Sequence, residues 1–497
     1  MGTPLPEGIV AVVKADCPTC QLVAPVLGEL RAAGVALTVF TQDDPAFPAG
    51  LDPVDDTGLD VSVALDLDTV PTLVKVEGGV EVDRLMGWSR PHWEKFTGVG
   101  SLGDGLPEYR PGCGSLTVDP EVMERLAARS TGLRSRRLEL ARLEDEAEAF
   151  FERGWTDGLP VVPPTPARVL RMLEGTTRAA DEVVASVGPD FADCTVEKAA
   201  VNAVMAGCKP EYFPVVLAAV EAACTDEFNM HGLLCTTWFS GPVIIVNGPI
   251  TREIGMNSGV NALGQGNRAN ATIGRALQLI VRNIGGGRPG EIDRSTLGAP
   301  GKYTFCFAED EVNSPWEPLS VERGFAEGAS TVTLFAGDGP RGMCDQKSRE
   351  PESLARSIAW QLDSVWHPKL VMLTDAVLVV APEHGRVFRE AGWSKARLRE
   401  RLLELTTKPL SEITVGANGC AEGMTIQAGA VKGALGSAVG DGPGGGDGAA
   451  EVFIPKFFPD GLLIVHAGGS AGLFSAVIGG WARGAIGSSP VTREVKQ

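Results

Sequence analysis

The stretch "VVKADCPTCQL", Val12 to Leu22, decides how the first hundred residues are read. An apolar run ends at Val13. Two cysteines follow at Cys17 and Cys20, with Pro18 and Thr19 between them, and a helical pattern "QLVAPVLGELRAAG" begins at once and stops at Gly34. Glycine commonly closes a helix in this way. A strand that delivers a Cys-x-x-Cys pair to a helix start has a physical logic. The unpaired amides and the dipole of the first turn stabilise a thiolate on the first cysteine, and the second sits one turn on. The pair has three readings: a redox dithiol, half of a zinc site, or two packing residues. Zinc needs a second pair at suitable spacing, and none is visible.

Working outward, "GIVAVVKA" is a buried strand and "VALTVFTQ" the next. "VPTLVKVEGGVEVDRLMGW" reads as two strands turning at Gly78-Gly79, and "SRPHWEKFTG" as a closing helix capped by Ser89. The Cys-Pro-Thr-Cys motif, the Val70-Pro71-Thr72 loop and the terminal hairpin and helix together resemble the thioredoxin fold over about residues 8–98. That resemblance implies a cis peptide at Val70–Pro71, a structural role for Pro71, and a reversible Cys17–Cys20 disulfide with Cys17 as the attacking thiol. Asp16 stands where thioredoxins carry tryptophan, and a carboxylate there is expected to oppose thiolate formation.

The chain has 497 residues, 44% apolar and 22% charged, with a formal net charge of −19. Such acidity argues against nucleic-acid and anionic-membrane partners, which need basic surface. Gly is high at 62 residues, which suits backbone-lined loops around a ligand. The start "MGTPLPEGIV" lacks the features of a secretory signal. Ten scattered cysteines do not form a disulfide framework, so a cytoplasmic protein with reduced thiols is expected. The longest apolar run, "GLLIVHAGGSAGLFSAVIGGW" from Gly461, is read as strand, glycine loop and buried helix rather than a membrane span.

The expected class is α/β: a thioredoxin-like domain at 1–99, a linker and charged connector helix at 100–153, an α/β domain at 154–345, and a second at 346–497 ending in a glycine-rich loop. In the connector, Leu140, Leu143, Ala147 and Phe150 recur at helical spacing. "PEVMERLAAR" is a short helical stretch before it, and "GDGPGGGDGAA" (440–450) a flexible loop. Short buried strands alternate with helices through the remainder, as α/β folds require. Asn270 is expected to cap the helix "ATIGRALQLIVRNIGGG".

In "VMAGCKPEYFPVV", Cys208 precedes a helix start and sits beside Lys209, both of which lower a thiol pKa. It reads either as a nucleophile or as a small buried hydrophobe. His231 and Cys235 are four apart in "NMHGLLCTTW", and His384 and His466 each follow an apolar strand, where α/β folds place ligands. His231 and His466 are the acid–base candidates. The amides of Gly468, Gly469 and Gly472 suit an anion. Asn247, Arg252, Asn257, Asn261, Asn267, Arg268 and Asn270 suit a small polar or carboxylate substrate, or else stitch a surface loop. The run "RPGCGSL" around Cys113 resembles the U/C-G-S-C motif of bacterial thiol or selenol proteins. "AVNAVMAGCKPEY" and "SPWEPLSVERGF" resemble an uncharacterised bacterial family that occurs alongside them.

These readings lead to an expected thiol-dependent redox enzyme. A dithiol serves a cysteine site in the large α/β part, acting on a small polar substrate by reductive carbon–heteroatom cleavage or thiol transfer. The alternatives are a soft-metal-handling thiol protein and a protein-disulfide reductase with a client-binding domain. The sequence singles out no cofactor. A small-molecule substrate and a thiol reductant are the expected partners, and homo-oligomerisation stays open.

Overall fold

A computed structural model describes residues 5–119, 122–123, 126, 132–136, 145–417, 422–423, 451–484 and 487–496. The chain forms two compact units, Met1–Gly132 and Leu133–Gln497. Both mix helices with sheets, and the protein is α/β. Among the described residues no helix is long and apolar enough to cross a membrane.

The small unit is built on a five-stranded sheet. Its strands are β1 (Gly8–Val13), β2 (Leu37–Thr41), β3 (Val54–Asp55), β5 (Thr72–Glu77) and β6 (Val80–Met86), with β4 (Thr69–Val70) immediately before β5. The order is β3-β2-β1-β5-β6. Strands β1, β2 and β3 run parallel, while β5 and β6 are antiparallel additions. Strand β1 is buried along nearly its whole length, as an inner strand covered on both faces must be. Helix α1 (Pro18–Ala32) buries Val23, Val26, Leu27 and Leu30 on one face, the i, i+3, i+4, i+7 spacing of an apolar stripe. The β5–β6 turn falls at Gly78 and Gly79, both with positive φ, as a tight hairpin needs. Helix α2 (Asp60–Ala64) precedes β4, and α3 (Arg90–Thr97) closes the unit.

Residues 100–118 do not form the expected linker. They carry β8 (Tyr109–Arg110), which pairs with β7 (Trp88–Ser89), and β9 (Cys113–Gly114), which pairs with β4. Trp88 Nε1 donates to Pro107 O at 2.6 Å, and the Trp88 and Trp93 rings meet edge to face at 5.1 Å, a contact worth roughly 0.5–1.5 kcal/mol beyond its buried area. The small unit's fold therefore runs on past residue 99, to Val118.

In the large unit, β10 (Val183–Val187) and β11 (Ala192–Thr195) form a hairpin. One seven-stranded sheet follows: β12 (Gly241–Asn247), β13 (Cys306–Ala308), β14 (Thr331–Cys344), β15 (Thr374–Val380), β18 (Leu462–His466), β19 (Phe474–Ala482) and β20 (Val491–Glu494). Its order is β13-β12-β14-β19-β15-β18, with β20 on β14. A small ribbon pairs β16 (Lys408–Pro409) with β17 (Phe453–Ile454). The single sheet spans both expected halves, so the boundary at 345/346 does not separate two domains. Strand alternation sorts the core. Ile244 and Val246 face the cluster built by helices Val196–Ala206, Phe213–Ala223 and Arg268–Asn283, while Val243 and Ile245 face another cluster shared with Val377 and Val379.

The segment after the glycine loop at 468–472 is strand β19, not a helix. It is a central strand between β14 and β15. Gly480 explains part of the reversal, because a Cβ there would stand 2.7 Å from Asp375 O and 2.9 Å from the Phe335 ring. The connector positions Leu140 and Leu143, most of "PEVMERLAAR" and the glycine run 440–450 lie outside the described residues. Ala147 and Phe150 lie on a short helix, Glu146–Glu152, whose Phe150 is buried.

Candidate functional site

Cys17 is the N-cap of α1, with Pro18 in the first turn. Pro has no N–H to satisfy, so it suits this position. The Cys17 Sγ accepts the Cys20 amide at 3.2 Å. Its thiol form points at Val70 O, 3.7 Å away, and the Val70–Pro71 peptide is cis, as the resemblance implied. The loop before Cys17 is held by a residue that sequence reasoning missed. Asp43, just past β2, accepts Ala15 N at 2.6 Å and Asp16 N at 2.8 Å. Asp16 itself is exposed.

The electrostatics of the pair are asymmetric. Cys17 falls from the usual thiol value of 9.0 to about 5. The chief cause is a hydrogen bond from the Cys20 side chain. Burial opposes it, while the Cys113 thiol and the Cys20 and Thr19 amides add to it. Cys20 moves strongly upward, first from burial and then from the hydrogen bond and charge of Cys17. The carboxylate at position 16 therefore does not prevent a depressed Cys17. Hydrogen bonds to the charged form outweigh desolvation.

Cys113 also belongs to this cluster. Its Cα is paired with that of Val70 across β4 and β9. Burial and its hydrogen bond to Cys17 raise its thiol pKa. Thr19 Oγ1 donates to Pro111 O at 2.8 Å, Lys14 Nζ to Gly114 O at 3.0 Å, and Ser115 N to Asp68 O at 2.9 Å. Gly112 permits this approach, since a Cβ there would meet Thr69 Cγ2 at 2.4 Å and Val70 O at 2.9 Å. The sequence signal was the Gly-Cys-Gly run of "RPGCGSL", but nothing in it pointed back to Cys17.

The large unit treats its cysteine differently. Cys208 is 7% exposed, and its Sγ lies 3.3 Å from Thr272 O, to which the thiol donates. Burial pushes it up to about 12, and the neighbouring Thr272 and Arg268 offset this only in part. Lys209, not Cys208, is the cap residue of the short turn Pro210–Tyr212. The expected activation is thus corrected: Cys208 is packed among the helices of the large core.

His231 and Cys235 share the short helix Met230–Cys235, both exposed, with His231 stacked on Phe191 at 5.6 Å. His466 is buried at the end of β18, its Nδ1 3.3 Å from Asp310 O, and burial lowers its pKa. His384 is buried between Ser475 Oγ and Asp345 O.

Most of the amide cluster is consumed in stitching its own loop. Asn267, not Asn270, caps the helix Arg268–Asn283 and also donates to Gly255 O. Asn270 holds Asn257 N and O, Asn257 donates to Val260 O, and Asn261 donates to Gln265 O. Arg268 Nε donates to Gly207 O. Arg252 is exposed on the short helix Ile250–Glu253. Gly468 N donates to Ser258 O, and a Cβ at Gly469 would press on Val260 at 3.0 Å, so the Gly468 amide is committed within the fold. Asn247 is fully buried and donates to Glu309 at 2.7 Å and Glu311 at 2.8 Å. Glu309 also accepts Leu319 N, and burial raises its pKa. Asn247, Glu309, Asp310 and His466 thus meet at the strand ends, a buried network that sequence reasoning did not assemble.

Comparison of the chain with family models, with curated proteins and with solved structures found no match.

Proposed function

We propose that the small unit is a thioredoxin-like thiol–disulfide oxidoreductase module, with Cys17 the nucleophile and Cys20 the resolving thiol. The observation that carries this reading is the set of donors gathered on the Cys17 sulfur, which favours thiolate at neutral pH. The strand–dithiol–helix order, the proline loop beside the sulfur, the hairpin and the closing helix support the likeness to thioredoxins.

The reaction uses only these groups and a client disulfide. The Cys17 thiolate attacks one client sulfur, forming a mixed disulfide and expelling the other client sulfur as a thiolate, which takes a proton. In the mixed disulfide the negative charge on Cys17 is gone, and with it one influence that raises Cys20. Cys20 then loses its proton, attacks Cys17 Sγ and releases the second client thiol. The client gains two electrons, the dithiol becomes a disulfide, and an external thiol reductant restores it.

Cys208 gives no support to a second thiolate site in the large unit. The large unit is read instead as the binding or scaffolding part of a disulfide reductase. Among the described residues no three His, Cys, Asp or Glu side chains are grouped so as to hold a metal ion. Reduction of a model protein disulfide, with dithiothreitol as electron source, tests the proposal. Cys17→Ser should fall to the uncatalysed rate and Cys208→Ser should match the parent. A Cys17→Ser variant that keeps the parent rate would refute it.

A further inference from the structure

Cys17 and Cys20 are both fully buried, whereas Cys113 is partly exposed. The strap that carries Cys113 is fixed across the Cys17 sulfur. It is paired to β4, bonded to Thr19 and Lys14 on the dithiol side, and held further on where Gln42 Oε1 accepts Leu116 N at 3.0 Å. Cys113 pairs with Val70, whose carbonyl lies 3.7 Å from the Cys17 sulfur, and the Cys17 and Cys113 thiols shift each other's pKa in opposite directions. The sulfur most open to solution in this cluster is therefore the one outside the Cys-x-x-Cys motif.

We propose that Cys113 is a third redox thiol of the site, exchanging with Cys20 for the Cys17 sulfur and passing reducing equivalents from low-molecular-weight thiols to the buried dithiol. This rests on the oxidoreductase reading above. In the oxidised site the Cys113 thiolate attacks Cys17 Sγ. A Cys113–Cys17 bond forms, the Cys17–Cys20 bond breaks, and Cys20 leaves as a thiolate that takes up the proton Cys113 gave up. No net oxidation occurs. A small thiol RSH, as its thiolate, then attacks the accessible Cys113 sulfur and expels Cys17 as a thiolate, leaving Cys113–S–S–R. A second RSH releases RSSR and frees Cys113. Two thiols are oxidised and one protein disulfide is reduced. The second step follows two rules of thiol exchange: the small thiol attacks the sulfur it can reach, Cys113, and the lower-pKa Cys17 is the thiol that leaves. With the strap in place a small thiol meets Cys113 first, because Cys17 and Cys20 are buried beneath it, whereas a client disulfide reaches Cys17 once the strap is displaced.

Two variants of the full chain test this. Cys20→Ser, oxidised with diamide and mapped by peptide mass, should show a Cys17–Cys113 bridge. Cys113→Ser should still form the Cys17–Cys20 bridge, but glutathione should reduce it at least about tenfold more slowly than in the parent. Cys17 and Cys113 both remaining free in Cys20→Ser, or equal reduction rates in Cys113→Ser and the parent, would overturn the proposal. Failure of the parent itself to form a Cys17–Cys20 bridge would instead count against the underlying oxidoreductase reading.

Discussion

Cys17 and Cys208 look alike in the sequence: each precedes a helix, each has a proline in the turn that follows, and each is buried. Their chemistry is opposite, with Cys17 held near 5 and Cys208 near 12. Burial does not separate them. The partners do. The Cys17 sulfur is a helix cap that accepts the Cys20 amide at 3.2 Å, and this amide with the Cys20 and Cys113 thiols outweighs its longer 3.7 Å approach to Val70 O, so the charged form is favoured. The Cys208 sulfur faces a carbonyl, which only the protonated thiol can satisfy, and its neighbour Lys209 takes the cap position. Nearness to a helix start is therefore insufficient, and the sulfur must itself be the group that accepts the free amides.

The largest expected effect is on the pH dependence of stability. A depressed thiol contributes stability present above its unfolded pKa and lost as pH falls through the folded value. Reduced parent protein should therefore gain stability over Cys17→Ser as pH rises from about 5 to 9.0. The raised Cys208 has the reverse sign, with its contribution intact below 9.0 and lost as pH rises toward about 12. Urea unfolding across this range reads both; parallel curves for parent and Cys17→Ser would erase the contrast. A smaller effect concerns access. Gly112→Ala forces a Cβ against Val70 O and Thr69, lifting the strap, and iodoacetamide should then modify Cys17 faster by about tenfold. An unchanged rate would mean that the strap does not gate the sulfur. The smallest effect is Cys208→Ala, which removes a packed sulfur and should cost about 1–2 kcal/mol in unfolding. Disulfide reduction should be untouched, and lost turnover in a folded Cys208→Ala would restore it as a functional thiol.

What the sequence revealed follows from the range of the interactions. The dithiol at a strand-to-helix junction, helix α1 stopping before Gly34 and the Gly78-Gly79 hairpin depend on local pattern, and all are legible. The strap was not, because its anchors to Thr19, Lys14 and Gln42 span about 70 to 100 residues in sequence and use mainly backbone atoms, which carry no residue signature. Strand β19 is ambiguous in sequence because "FSAVIGGWA" is apolar at both helical and strand spacing, and glycines that admit neighbouring strands decide for the strand. The amide-rich loop could be read as a ligand site or as self-stitching, and asparagine composition fits both. Only the partners of Asn257, Asn261, Asn267 and Asn270 decide it.

The most direct measurement is peptide mapping of the parent chain after mild oxidation, with all remaining thiols alkylated. The expected result is a bridge from Cys17, mainly to Cys20, formed before the exposed Cys235 and Cys344 react and while Cys208 stays reduced. Cys17 and Cys20 recovered as free thiols, with Cys235 and Cys344 already oxidised, would contradict the assignment of the small unit as a redox dithiol.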